Sequence, residues 1–309
     1  MGLIVHTLEA NCMQPVMDDH TRQAYHFAVI KYEKWLKEKG ISQRKAIRSS
    51  GPDLVQQYTD WLVNERYSAW TIHSYIAPIC KGYKISMSLI DKPPRVASNI
   101  TKGRKEEVNP QGKKDMEKEK YKRIISFARA TGLRRSDYGR LTPADIHFDV
   151  TGQPEYIAVK SKGGKVTHQV ILPAHREAVK NTISGIKSDE KIFEAKELRL
   201  HTDLHAIRRQ VAAEAYKYYC ALPDSEKEKL KEKLLDTYKY EKKGVTPEQI
   251  RKFEKQLSMP YYCLRGANKA KAIAEGKPIR YDRVCLLACN MYHLSHFRCD
   301  VGIASYLVN

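Results

Sequence analysis

A basic segment with few large apolar side chains divides this 309-residue chain into two parts. Residues 91–114 are rich in Pro, Gly and Lys, a composition typical of linkers. A chain of this length also exceeds what one hydrophobic core usually holds. We therefore expect an N-terminal extension at 1–18, a first domain at 19–90, the linker, and a second domain at 115–309. The linker is either a strap along a phosphate backbone or a merely solvated connection.

The first domain is predicted to be helical. Ala28, Tyr32 and Trp35 recur at i, i+4 and i+7, as on one face of an amphipathic helix. Similar apolar stripes recur near Tyr58 and again around Pro78, which is expected to bend or shorten the third helix. We interpret these stripes as a helical core and not as a cofactor-binding motif.

The second domain combines strand and helix signals. Apolar residues alternate on both sides of Gly163 and Gly164, which predicts a β-hairpin with a tight glycine turn. Most other segments of this part have the periodicity of helices. The expected fold class is mainly α with a small β-sheet, as an α-helical domain followed by a mixed α+β domain.

The charge balance limits the choice of partner. The chain has 55 Lys and Arg against 36 Asp and Glu, a formal net charge of +19, of which residues 1–90 contribute only +3. So large an excess favours a polyanionic partner, with nucleic acid as the first candidate. No apolar run approaches the roughly 20 residues that span a bilayer. Seven scattered cysteines suit a reducing cytoplasm better than a disulfide framework.

Two adjacent arginine pairs carry the chemistry of the sequence. "TGLRRSDY" places Arg134 and Arg135 at a predicted helix start. "HAIRR" places His205 and Arg208 at i and i+3 on one helical face, followed by Arg209. Adjacent positions on a helix point about 100° apart, so both members of a pair rarely serve one ligand. We therefore expect one ligand-binding arginine in each pair.

Three further residues complete a chemical pattern: Lys162 at the predicted hairpin tip, His296 in "LSHF" and the late Tyr306. With two arginines and His205, they are the groups that phosphoryl transfer through a tyrosine nucleophile needs. Guanidinium groups clamp the phosphate oxygens and offset transition-state charge. A lysine can protonate the leaving alkoxide, and a histidine can orient the phosphate or assist removal of the tyrosine proton. Each feature alone is weak, whereas their order and spacing are much more specific.

On these residues the chain resembles the tyrosine recombinase, or phage-integrase, family, and in its last box the integrases of mobile genetic elements. The family's catalytic domain carries an Arg in a TGLR-type box, a Lys in a β-hairpin, a His-x-x-Arg box, a late His in a Leu-Gly-His box and a nucleophilic Tyr. These positions correspond to Arg134, Lys162, His205, Arg208, His296 and Tyr306. "YSAWTIHSYIAPI" is similar to the third helix of the family's helical, SAM-like core-binding domain, so the resemblance covers most of the chain.

The resemblance implies a site-specific DNA recombinase that integrates or excises a mobile element. Tyr306 would form a 3′-phosphotyrosine with DNA and release a 5′-hydroxyl, with Lys162 as its general acid. Further implications are double-stranded DNA with specific sites as partner, a homotetramer on synapsed DNA, accessory DNA-bending or directionality proteins, and a nucleoid-associated cytoplasmic location. No cofactor is implied. The apolar stretch around Cys285, Cys289 and His293 does not favour a metal site, despite its helical spacing.

The chain departs from the family pattern in four places. The late-His box reads Leu-Ser-His, which leaves the shape of its turn open. Arg209 stands where the family often has a second histidine. A charged insertion at about 221–258 separates Arg208 from His296, and we interpret it as a solvated helical pair, with a protein or DNA contact as the alternative. The sequence stops three residues after Tyr306, where many relatives have a helix that docks into a neighbouring subunit.

The remaining charged residues receive supporting roles. Asp137 follows Arg134 at i+3, so we expect its carboxylate to hold that guanidinium in place before DNA arrives. Arg135 and Arg209 are expected to contact the DNA backbone or to remain solvated. Backbone contacts are also assigned to three linker residues, Lys102, Arg104 and Lys105.

Two other functions remain open at this stage. A type IB topoisomerase or a hairpin telomere resolvase uses the same tyrosine chemistry, although the small helical first domain favours a recombinase. A DNA-binding regulator with a degenerate site belongs to a different class, and the presence of all six expected residues argues against it.

Overall fold

Helices make up most of the chain, and two small antiparallel sheets lie in its C-terminal part. The computed structural model describes residues 2–15, 17–48, 52–95, 110–160, 166–242 and 244–303. The chain divides into two units, Met1–Asn99 and Ile100–Asn309. The predicted fold class, mainly α with a small β-sheet, is confirmed. Among the described residues, no helix is long and apolar enough to cross a membrane.

The first unit is a helical domain with an aromatic core. Its helices are α1 (Leu3–Cys12), α2 (Asp19–Glu38), α3 (Gln43–Arg48), α4 (Pro52–Asn64) and α5 (Ala69–Tyr83). Tyr32, Trp35 and Tyr58 are buried and stack or pack edge-on against one another, as the apolar stripes predict. The side chain of Ser68 caps α5, and α5 continues through Pro78, so the proline does not shorten this helix.

The segment 1–18 is not a mere extension of the first unit. Helix α1 buries Ile4, Val5, Leu8 and Cys12, and it packs against α5 and α2. Gly82 of α5 allows this close approach, because a Cβ there would lie 2.7 Å from Cδ2 of Leu8. The apolar stripe of α1 therefore belongs to the core of this unit.

The second unit contains the expected hairpin and additional helices. In chain order its elements are α6 (Pro110–Glu117), α7 (Glu119–Thr131), α8 (Arg135–Tyr138), β1 (Ile146–Phe148), β2 (Pro154–Lys160), β3 (Val166–Val170), α9 (Arg176–Ile183), α10 (Leu204–Cys220), α11 (Asp224–Glu241), α12 (Pro247–Leu257), β4 (Tyr261–Cys263), α13 (Gly266–Ala274), β5 (Arg280–Asp282), α14 (Arg283–Leu294) and α15 (Cys299–Gly302). Strands β1, β2 and β3 form an antiparallel sheet, and β4 pairs with β5. Lys160 pairs with Val166 across the hairpin, whose tip at 161–165 lies outside the described residues.

Helix α10 lies at the centre of the second unit. It packs against α7 on one side and α14 on the other. Ile207 and Val211 join the core formed with α7, while Ala212, Ala215 and Tyr219 join the core formed with α14. The helix that carries the His-x-x-Arg motif is therefore held by both hydrophobic cores of the unit.

The charged insertion at 221–258 is only partly solvated. Its two helices, α11 and α12, bury Leu234 and Phe253, and the ring of Phe253 stacks on Tyr238 with centroids 3.9 Å apart. Helix α11 packs against α14. The interpretation as a solvated helical pair holds for the outer face and is wrong for this inner face, because the apolar residues between the charges form a continuous stripe.

The expected linker is shorter at its C-terminal end than the composition indicates. Helix α6 begins at Pro110, inside the predicted range 91–114. Residues 96–109, which include Lys102, Arg104 and Lys105, lie outside the described residues. A lysine-rich composition therefore did not distinguish the linker from a short solvated helix.

Candidate active site

An open pocket of about 560 Å³ lies between the start of α8 and the start of α10. Its lining is dominated by basic side chains, namely Arg134, Arg135, His201, His205, Arg208 and Arg209. Asp203 is the one carboxylate in this lining, and its side chain accepts hydrogen bonds from the backbone N–H groups of His205 and Ala206 at the start of α10. The pocket thus combines the arginines of both sequence motifs and is suited to an anion.

Arg134 lies immediately before α8, in extended backbone conformation. Its guanidinium donates to the carbonyl oxygen of Leu294 at 3.3 Å, which links the TGLR motif to the end of α14. The carboxylate of Asp137 accepts from the backbone N–H of Arg134 at 3.1 Å and from the guanidinium of Arg140 at 3.0 Å. Asp137 thus fixes the main chain of Arg134, and its expected role in holding the Arg134 guanidinium stays a prediction.

Arg135 has a role that the sequence did not predict. Its guanidinium donates to the carbonyl oxygens of Leu200 at 2.9 Å and Thr202 at 2.7 Å, with a longer bond to Leu198 at 3.4 Å. The segment before α10 is irregular, so these carbonyls have no helical partner. Arg135 therefore fastens this segment to α8 while remaining exposed, and its expected contact with the DNA backbone stays a prediction.

Arg208 is fully buried at the floor of the pocket, with 1% of its surface exposed. Its guanidinium donates to the carbonyl oxygen of Gly132. Gly132 ends α7 with φ of 59°, and a Cβ there would lie 3.0 Å from Val211 of α10. The glycine of the TGLR motif thus serves both a left-handed helix end and close packing of α7 on α10. A buried guanidinium loses much of its hydration, so water screens its attraction for an anion in the pocket only weakly.

Two histidines near Arg208 are held in the neutral form. The surrounding protein removes part of the water from the His205 ring, and the charges of Arg209 and Arg208 act in the same direction, so the pKa of His205 is lowered. Burial and the charge of Arg208 lower the pKa of His293 to about 3. Nε2 of His293 lies 3.0 Å from the hydroxyl of Tyr219 inside the core. His205 is exposed to the pocket, whereas His293 is a core residue.

One residue of the pocket lining, His201, belongs to a pair that sequence reasoning missed. Nδ1 of His201 lies 3.0 Å from the carboxylate of Asp115, which also accepts the backbone N–H of His201 at 2.8 Å. Asp115 is buried, which by itself raises its pKa, but bonds from Lys118 and His201 hold that pKa well below its usual range. The two residues are 86 positions apart, and Asp115 directly follows the predicted linker, so no local pattern pointed to them.

The turn before His296 has a serine, and not a glycine, in left-handed backbone conformation. Ser295 ends α14 with φ of 57° and ψ of 34°, a backbone conformation that favours glycine. Its hydroxyl accepts from Nε2 of Gln169 at 2.6 Å and lies 3.0 Å from that of Thr167. The backbone N–H of His296 donates to the carbonyl of Asn290 at 2.8 Å. Two bonds to β3 thus offset the strain of a serine at this position.

Asn290 organises the segment that follows this turn. The side chain is fully buried, and its Nδ2 donates to the carbonyl oxygens of Arg298 at 2.6 Å and Cys299 at 3.2 Å. Gly302 of α15 packs directly on it, because a Cβ there would lie 1.8 Å from Oδ1 of Asn290. Nothing in the sequence singled out Asn290, since an asparagine within an apolar helix has no fixed local meaning.

The structure brings together part of the predicted catalytic set. Arg134, His205 and Arg208 line the pocket with Arg209, as the two motifs predict. His296 lies two positions after Leu294, whose carbonyl oxygen accepts a hydrogen bond from the guanidinium of Arg134. Two of the predicted catalytic residues, Lys162 and Tyr306, lie outside the described residues.

No protein-family model matches the chain, and no curated protein matches it. Among solved structures, the chain is similar to the crystal structure of XerA recombinase, with 14% sequence identity over 100% of this chain and 94% of that chain. The TM-score of this match is 0.28, which is too low to establish a shared fold.

Proposed function

We propose that this protein is a DNA strand transferase of the tyrosine recombinase type. The observation that carries the proposal is the convergence of Arg134 and Arg208 on one pocket, although 74 positions separate them in the chain. Two guanidinium groups beside a neutral histidine, His205, form a site for a phosphodiester. The net charge of +19 supports a nucleic acid as the source of that phosphate.

The proposed reaction has two chemical steps. In the first step the phenol of Tyr306 gives its proton to His205, its oxygen attacks the scissile phosphorus, the bond to the 5′ oxygen breaks, and that oxygen receives a proton from Lys162. In the second step a new 5′-hydroxyl gives its proton to Lys162 and attacks the phosphotyrosine. The bond from phosphorus to the Tyr306 oxygen then breaks, and that oxygen recovers its proton from His205. Arg134 and Arg208 offset the charge that grows on the non-bridging oxygens. The lowered pKa of His205 keeps its imidazole able to accept a proton near neutral pH.

The same proposal includes the biological setting. The protein would act as a homotetramer on duplex DNA with specific sites, during integration or excision of a mobile element. In each subunit, Tyr306 and the two arginines would carry out the reaction. The basic composition of the segment between the two units, which ends where α6 begins at Pro110, suits contact with the DNA backbone. Because the phosphotyrosine conserves the energy of the phosphodiester bond, rejoining requires neither a nucleotide nor a metal.

A nicked suicide duplex tests the proposal directly. Duplexes built from the DNA that flanks the encoding gene are incubated with the protein, and covalent adducts are separated in SDS. Wild type should form an adduct, Tyr306→Phe should form none, and Arg134→Ala or Arg208→Ala should reduce the rate about 100-fold or more. Tyr240→Phe, at a tyrosine that is 86% exposed on α11, is the matched control and should react normally. An adduct that persists in Tyr306→Phe would refute the assignment.

A further inference from the structure

The segment between the insertion helices and α14 forms a largely exposed arm. We call residues 261–283 the basic arm; it consists of β4, α13, β5 and the first residue of α14. Leu264, Ala272 and Tyr281 are buried and anchor it to the core of the second unit. Most of the other side chains of the arm are exposed, including Ile273 at 60%. Most side chains of the arm therefore do not contribute to the core and are accessible to a partner.

The positive charge of this region is concentrated on the arm. Six of its residues are Lys or Arg and two are Asp or Glu. The basic residues are Arg265, Lys269, Lys271, Lys277, Arg280 and Arg283. Helices α11 and α12, which precede it, have equal numbers of acidic and basic residues and pair many of them at i+3 or i+4. The helices are balanced in charge, whereas the arm has an excess of positive charge that solubility alone does not require. The arm is therefore the part suited to a polyanion.

Internal ion pairs neutralise only part of this charge. Glu275 forms ion pairs with Lys277 at 2.9 Å and with Lys271 at 3.8 Å. The other acidic residue, Asp282, caps α14 by accepting the backbone N–H of Cys285. Among the described residues, no carboxylate forms an ion pair with Arg265, Lys269 or Arg280, all of which are exposed.

The arm also holds its arginines in fixed positions. The guanidinium carbon of Arg280 lies 4.0 Å from the ring centroid of Tyr261 on the paired strand. Arg283 donates to the carbonyl oxygen of Tyr261 at 2.8 Å and lies 5.5 Å from the ring of Tyr262. A stacked guanidinium keeps its planar face on the ring and its N–H groups at the edge, so it reaches a phosphate with little loss of side-chain entropy.

The arm borders the segment that leads to the proposed nucleophile. Burial raises the pKa of Tyr262, the charge of Asp300 on α15 adds to this effect, and the charges of Arg283 and Arg265 oppose it. Helix α14 packs against both strands of the arm and against α15, so it connects the two. Tyr306 follows the end of α15 by four residues, a length that spans at most about 14 Å, so DNA that reacts with it lies within reach of this part of the unit.

We infer that the basic arm binds the phosphate backbone of duplex DNA beside the cleavage site, through Arg265, Lys269 and Arg280. The inference rests on the proposed function and adds a second DNA-binding surface to it. A duplex supplies closely spaced phosphates along a continuous line, which suits three exposed cations on one segment. The contact adds affinity without reading sequence, because phosphates are the same at every base pair.

Salt dependence of DNA binding tests this inference. The variant Arg265→Gln/Lys269→Gln/Arg280→Gln and wild type are titrated with a duplex at several salt concentrations, with fluorescence anisotropy as the readout. The slope of log K against log salt should become shallower by about 0.9 for each lost phosphate contact, or about 2.7 in total. At about 0.1 M salt the affinity should fall on the order of 100-fold.

A matched variant controls for net charge. Lys229→Gln/Lys252→Gln/Lys255→Gln removes the same charge from the exposed faces of α11 and α12, and its salt slope should stay near that of wild type. Equal effects of the two triple variants would overturn the inference, because net charge alone would then explain the loss. A wild-type slope in the arm variant would also overturn it.

The outcomes separate this inference from the proposed function. If wild type binds the duplex and forms the Tyr306 adduct while the arm variant matches it in affinity and slope, only the inference on the arm fails. If wild type binds no duplex DNA at any salt concentration, the proposed function fails and the arm inference with it. The melting temperature of the arm variant should equal that of wild type, because its three side chains are exposed.

Discussion

Nε2 of Gln169 on β3 donates a hydrogen bond of 2.6 Å to the hydroxyl of Ser295, which occupies the left-handed turn directly before His296. This bond connects the central sheet to the end of α14. It also explains how a serine is retained at a position whose backbone favours glycine. The local geometry of the late-histidine box therefore depends on a strand that is 126 positions distant in the sequence.

Substitutions at Ser295 should separate backbone strain from hydrogen bonding. Ser295→Ala loses the bonds to Gln169 and Thr167 and keeps the strain, so the free energy of unfolding should fall by about 1–3 kcal/mol. Ser295→Gly loses the same bonds but relieves about 1–2 kcal/mol of left-handed strain. Urea unfolding of the full chain should therefore rank glycine above alanine. Equal stabilities would show that the turn is not strained.

Gly302→Ala should displace α15 from Asn290. The new Cβ would lie 1.8 Å from Oδ1 and 2.6 Å from Cγ of Asn290, which is buried and held by its bonds to Arg298 and Cys299. Overpacking of this kind costs about 1–3 kcal/mol. Hydrogen exchange of residues 296–303 should accelerate in this variant. Because Asn290→Ala removes the clashing atoms, the double variant should be less destabilised than the sum of the two single variants, and strict additivity would contradict the contact.

Arg135→Ala should act on stability. Its guanidinium satisfies two close carbonyls, of Leu200 and Thr202, so we expect a loss of about 1–3 kcal/mol in the free energy of unfolding. Arg135→Lys should not restore it, because an ammonium cannot span carbonyls that a planar guanidinium reaches together. Arg134→Ala is the comparison and should slow adduct formation about 100-fold or more. An Arg135→Ala protein with normal stability and an altered salt slope would instead indicate a DNA contact.

His293 should make the protein less stable in acid. Its pKa in the folded chain is about 3, below the unfolded value of about 6.5, so the unfolded state binds the proton first. The stabilising contribution is complete above about pH 6.5 and falls by roughly 1.4 kcal/mol per pH unit as the pH drops toward 3. His293→Gln removes this titration, so its unfolding free energy should change less between pH 7 and pH 5. His205, whose pKa is also lowered, contributes in the same direction in both proteins. Identical pH profiles would show that His293 is not held neutral.

The sequence by itself determined the features that depend on neighbouring residues. Helical stripes and the strands around Gly163 follow from patterns a few residues long, so they could be predicted. The arginine motifs also identified residues of one pocket, because their spacing resembles a known arrangement. The insertion was misread in part, since its charges concealed the buried stripe that contains Leu234.

Only the tertiary structure decided what each polar group contacts. Arg135 bonds to carbonyls 65 and 67 positions away, and Asp115 holds His201 across 86 positions. The partners of these groups are set by the packing of α6, α8 and α10, and no local pattern encodes that packing. Hydrogen bonding within the fold is a long-range property, because a buried carboxylate or an unpaired carbonyl takes whichever donor the fold places beside it.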